Sequence, residues 1–103
     1  MKHFLIKYRF QNGSPEDWHR EIKRFIAALD NDPACAGKIS YRCMKAGDGS
    51  GYYHLASVAD EEASKAVQSR EFFATYKEKT HHYAGGAVEV VPLELIAQTE
   101  TTA

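Results

Sequence analysis

Only two cysteines, Cys35 and Cys43, occur among the 103 residues. Their spacing makes neither a CxxC redox pair nor a metal knuckle, and two unpaired thiols point to a reducing compartment. Cys43 sits in an alternating apolar segment and reads as a small buried hydrophobe, whereas Cys35 falls in a loop at 33–37. Charge of one sign is also missing. Thirteen Lys and Arg against fourteen Asp and Glu leave a formal net charge of −1, which gives no electrostatic reason to expect a nucleic-acid partner. Long hydrophobic runs are absent. The longest, Phe25–Leu29, is too short for a membrane span or the core of a signal peptide. A cytoplasmic protein with no membrane partner is expected. No Ser-His-Asp or metal-ligand spacing is present, so no metal is expected. Gly47–Gly51 reads Gly-Asp-Gly-Ser-Gly, without the Lys and helix start that a phosphate cradle requires.

What is present is one domain, 1–103, of ordinary apolar content (44%). His3–Phe10 alternates Phe4, Ile6, Tyr8 and Phe10 against His3, Leu5, Lys7 and Arg9, which predicts a strand. Ser14-Pro15-Glu16-Asp17 is a helix start, with a capping hydroxyl, Pro at the first turn and acids at the positive end of the dipole. Trp18, Ile22, Phe25, Ile26 and Leu29 then recur at helical period, and Asp30-Asn31-Asp32-Pro33 ends the run. Lys38–Lys45 and Tyr52–Val58 are two strands of a hairpin across the Gly-rich turn. Asp60–Tyr83 is one bent helix or two short ones, with Ser69 able to cap a second start, ending at Gly85-Gly86. Ala87–Ala97 is the last strand; its Pro92 suits a sheet edge. Residues 98–103 form a loose polar tail.

The order β-α-β-β-α-β predicts an α+β, ferredoxin-like fold. A four-stranded antiparallel sheet in the order 4-1-3-2 carries its helices on one face. Phe4, Ile6, Tyr8, Phe10, Ile39, Tyr41 and Cys43 are assigned to the covered face. The opposite face mixes Leu5 and Met44 with His3, Lys7, Arg9 and Arg42, and the last strand is apolar on both parities. A solvated sheet face should alternate more cleanly, so a second copy of the chain is expected on it, as a homodimer through the sheet faces. Lys7, Arg9 and Arg42 are expected to meet Glu89 or Glu94 across that interface.

The length, the element order and the stretches Ser57-Val58-Ala59-Asp60-Glu61-Glu62-Ala63 and Ser69-Arg70-Glu71-Phe72 resemble the dimeric α+β-barrel superfamily. Within it, the chain is similar to the small antibiotic-biosynthesis-monooxygenase-like proteins. The chain has Val58 where members commonly carry Trp and Ala66 where they often carry His. It has no Asn on the first strand of the kind used by the haem-degrading members. The resemblance implies a cofactor-independent enzyme acting on an aromatic or polyketide-like molecule.

Among residues able to carry such chemistry, His54 is mid-strand and exchanges a proton near neutral pH if it faces a pocket. Its parity is not set by the sequence, and a hydrogen-bonded core histidine is the plainer alternative. Tyr41 is the second catalytic candidate. Tyr8, Trp18, Tyr76 and His82 are the candidate ligand-binding residues, since aromatic rings with hydroxyl tips suit a flat, mostly apolar ligand. They serve equally well as core. His81-His82 is too closely spaced to chelate one metal, because adjacent helical residues point about 100° apart. A histidine there also complements the helix C-terminus. Three readings stay open: a small enzyme, a non-catalytic binder, and a structural module with a filled core.

Overall fold

The computed structural model describes residues 1–100. Its elements are β1 (Lys2–Tyr8), α1 (Pro15–Asn31), β2 (Ile39–Lys45), β3 (Tyr52–Val58), α2 (Glu61–Gln68), α3 (Glu71–Tyr83) and β4 (Val88–Leu93). The strands form one antiparallel sheet in the order β2-β3-β1-β4, the expected ferredoxin-like order. Pro92 lies on β4, an edge strand of that sheet.

Helix α1 begins as its sequence dictates. Ser14 Oγ accepts the Asp17 amide at 3.1 Å, and Pro15 takes the first helical position. The stripe Trp18, Ile22, Phe25 and Leu29 is buried, as a 3.6-residue period requires when one side packs on a sheet. At its other end Asp32 accepts Arg70 Nε at 2.6 Å, Arg70 Nη2 at 3.3 Å and the Ala34 amide at 2.9 Å. These bonds tie the exit of α1 to the start of α3 and hold the Asp32 carboxyl below the usual carboxylate range.

Four expectations need correction. The Asp60–Tyr83 region is the second of the two alternatives, a pair of helices, but Ser69 does not start the second: its hydroxyl donates to Ala66 O at 2.7 Å and closes α2. Strand β1 ends at Tyr8, two residues early, although Phe10 still packs on the core against Tyr83. Strand β4 ends at Leu93, so Glu94, Leu95 and Ile96 lie outside the sheet. Leu95 and Ile96 therefore drop out of the face-parity argument. Lys7 pairs with Glu89 of its own chain at 3.2 Å, because β1 and β4 put them side by side. Of the expected tail, residues 98–100 carry no helix or strand, and the rest lies outside the described residues.

The register settles which side chains share a face. Tyr41, Ala56 and Phe4 form one row toward the helices, and Cys43, His54, Ile6 and Val90 the next. Tyr52, Tyr8 and Val88 follow. On the other face Leu55, Leu5 and Val91 lie in one row across three strands, flanked by Arg42. Among the described residues no helix packs there, and Tyr53, Met44 and Leu93 are more than 40% exposed.

One tight approach sets the end of α3. The Gln11 and Asn12 amides donate to Tyr83 O at 2.7 and 3.2 Å. Gly13 follows at φ +84°, where an added Cβ would lie 2.6 Å from the Tyr83 ring. A left-handed residue without a side chain is what lets this loop lie against the helix. Tyr83 in turn stacks on Trp18 at 4.7 Å between ring centroids.

Candidate functional site

Strand alternation and two helix stripes converge on a single buried polar chain. Trp18 Nε1 donates to Tyr8 Oη at 2.7 Å. Tyr8 Oη is 2.8 Å from His54 Nε2, and Tyr41 Oη is 2.7 Å from His54 Nδ1. Tyr41 and Tyr76 hydroxyls lie 2.9 Å apart, and Tyr76 Oη is also 3.3 Å from His54 Nδ1. The sequence-predicted residues Trp18, Tyr8, His54, Tyr41 and Tyr76 are thus brought together. His82 is not. It is exposed near the end of α3, packed edge-on against Tyr83.

Donor counting assigns a direction to this chain. The indole N–H can only donate, so Tyr8 accepts it and has its own hydrogen left for His54 Nε2. That places the imidazole proton on Nδ1, from which it is donated to Tyr41. The opposite tautomer would make Tyr8 accept twice and leave its buried hydroxyl hydrogen without an acceptor. Whichever of Tyr41 and Tyr76 donates to the other, one hydroxyl hydrogen remains for a further acceptor. From Trp18 through Tyr8 and His54 to Tyr41, each donor points away from Trp18.

Burial decides the charge of the network. His54 is fully buried, and desolvation lowers its pKa from 6.5 to about 4. Burial likewise raises the Tyr8, Tyr41 and Tyr76 hydroxyls above the usual phenol range. Cys43, beside His54 in the register, is pushed up to about 12 by burial, partly offset by the Tyr76 and Tyr41 hydroxyls. At neutral pH all five groups are uncharged, and the chain is a relay of neutral dipoles.

Tyr41 and Tyr76 also line a cavity of about 410 Å³ between the sheet and its helices. Its walls include Phe4, Ile6, Ile39, Val67 and Phe73, with Phe25 stacked flat on Tyr76 at 3.9 Å between centroids. Tyr8, Trp18 and His54 do not line it; they back the two hydroxyls that do. The arrangement offers an apolar slot with hydroxyl donors at one end. Among the described residues, no group of three His, Cys, Asp or Glu side chains is placed to hold a metal ion.

Sequence reasoning missed Lys77 and Thr80 and set His81 aside as a helix-end residue; all three also line the cavity. The spacing of Phe73, Lys77 and His81, each one helical turn apart, was the available signal. His19 on α1 lies 2.8 Å from Tyr52 Oη through its Nε2.

No protein-family model and no curated protein matches the chain. Solved structures do. SnoaB, described as a cofactor-independent oxygenase from Streptomyces nogalater, superposes in a mutant form with a TM-score of 0.77 at 14% identity, covering 97% of both chains. A structure described as an antibiotic biosynthesis monooxygenase gives 0.75 at 9% identity over 94% of this chain and 100% of that one. A conserved protein from Methanosarcina mazei gives 0.73 at 12% identity over 89% of each. Together with the strand order, these matches show that the chain has the ferredoxin-like α+β fold of the antibiotic-biosynthesis-monooxygenase-like structures.

Proposed function

We propose that this protein is a cofactor-independent, monooxygenase-like enzyme acting on a small aromatic or polyketide-like molecule. The observation that carries the reading is the cavity whose polar end is made by Tyr41 and Tyr76, oriented by His54. A substrate whose CH₂ is acidified by its own ketone or phenol loses a proton to solvent at the open side of the cavity, leaving a carbanion delocalised onto oxygen. The leftover tyrosine hydroxyl donates to that oxygen as its charge grows, from a position held by the hydrogen bonds to His54. The carbanion then reduces O₂, so that CH₂ + O₂ becomes C=O + H₂O. Tyr41 and Tyr76 touch the substrate. His54 positions them, since its low pKa and assigned tautomer make it a donor toward the cavity rather than a proton acceptor there.

Oxygen uptake with anthrone, a tricyclic ketone with such a CH₂, tests this. The protein is expected to accelerate uptake over buffer, with Tyr76→Phe and Tyr41→Phe each lowering kcat by about 10²-fold, the scale of removing one oxyanion donor. His54→Gln should lower kcat with KM little changed. Binding without uptake makes the protein a non-catalytic binder; no binding removes the ligand site.

The working form is a homodimer through the open sheet face, in the cytoplasm, as its two free cysteines suit. The row Leu55, Leu5 and Val91, with Leu93 beside it, supports this pairing. Sedimentation at micromolar concentration should give twice 11.6 kDa, and Leu55→Asp should shift it to the monomer. A wild-type monomer refutes the dimer.

A further inference from the structure

We propose that the ligand is an aromatic acid, its ring system in the cavity and its carboxylate at the mouth against Lys77 and His81. This deepens the functional reading and rests on the cavity being a ligand site. The charged lining is one-sided. Lys77 and His81 line the cavity, and among the described residues no Asp or Glu does. They lie one turn apart on α3 and so share a side of that helix. Phe73, one turn earlier, also lines the cavity and holds Lys77 Nζ 5.3 Å from its ring centroid. Lys79, two residues on, is engaged by Glu21 at 2.7 Å, whereas Lys77 has no acidic partner within ion-pair distance among the described residues. Across the mouth, α2 contributes Ser64 and Gln68, which bond to each other at 2.9 Å and bring no charge.

The cavity is therefore polar at two places of different chemistry. Its tyrosine end offers neutral hydroxyl donors, suited to a carbonyl or phenol oxygen. Its mouth offers two cationic or hydrogen-donating groups and no acceptor charge, suited to an anion and unfavourable to an amine. A flat molecule with an oxygen at one end and a carboxylate at the other satisfies both, with its apolar middle against Phe4, Ile39 and Phe73.

The test compares two fluorescent probes of nearly equal shape, anthracene-2-carboxylate and anthracene-2-carboxamide, titrated into the full chain at pH 7 and low salt. The carboxylate is expected to bind about tenfold more tightly, the scale of one charge-assisted contact at a partly wet mouth. Lys77→Met should erase that preference by weakening the carboxylate about tenfold and the carboxamide far less, and Lys77→Arg should keep it. His81→Gln should reduce it in part. Lys77 is exposed, so these variants fold. Equal binding of both probes to the wild type, or an equal weakening of both by Lys77→Met, overturns the acid assignment and leaves the cavity reading standing. Failure of both probes to bind overturns the two together.

Discussion

Acidification from pH 6.5 to 4 is expected to remove about 3 kcal/mol of folding stability through His54 alone. The folded state keeps the imidazole neutral down to about pH 4 because the ring is buried. The unfolded chain takes up that proton near the ordinary histidine value of about 6.5. Between the two, the unfolded state binds more protons, so stability is full above about pH 6.5 and falls as pH drops toward 4. A domain of this size is stable by roughly 5–15 kcal/mol, so the loss is a sizeable part of the whole. Urea denaturation at half-unit steps from pH 7 to 4 measures it. His54→Gln is less stable at pH 7 but should lose less on acidification. Parallel profiles for wild type and variant would refute the assignment. Glu21 and Asp32, whose pKa values are lowered by Lys79 and Arg70, lose their contributions only as pH falls below the ordinary carboxylate range, and in both proteins alike.

Replacing Trp18 by Ala should cost about 4 kcal/mol, the range for truncating a buried aromatic. The side chain is fully buried and stacks on Tyr83 and on Tyr76, at 4.7 and 5.5 Å between centroids. It also supplies the donor that orients Tyr8. Trp18→Phe separates these contributions. It retains most of the apolar contact, loses the N–H, and should cost about 1–2 kcal/mol. Without that donor Tyr8 no longer selects the His54 tautomer. In the wild type, ¹⁵N shifts of the imidazole should show the proton on Nδ1; in Trp18→Phe the two tautomers should mix. Retention of wild-type stability by Trp18→Ala would defeat the packing argument, and an unchanged tautomer in Trp18→Phe would defeat the relay.

The legible parts of this protein are the periodic ones. Alternation along β1 and β2 put Phe4, Ile6, Tyr8, Ile39, Tyr41 and Cys43 on one face, where the register places them. Helical spacing gathered Trp18, Ile22, Phe25 and Leu29, all buried. Element ends were less legible because they depend on competing local hydrogen bonds. Ser69 has the chemistry of an N-cap, yet its hydroxyl finds Ala66 O first and closes the preceding helix. Beyond Leu93 the apolar residues Leu95 and Ile96 keep strand-like composition, but the pairing of β4 with β1 has ended with His3 and Leu93.

The sequence by itself determined the element order, the covered face and the sides on which Tyr8, Trp18, Tyr41 and Tyr76 lie, because each follows from a local period of two or 3.6 residues. It left His54 undecided, since Tyr52–Val58 is apolar or aromatic on both parities. Only the tertiary structure decided that His54 faces inward, through its pairing with Ile6 and Cys43. Tertiary contact alone also closed the hydrogen-bond chain, whose members lie on three strands and two helices and are up to 68 residues apart, Tyr8 to Tyr76. A proton's position depends on which donors and acceptors meet in space. That meeting is long-range, and no local period encodes it.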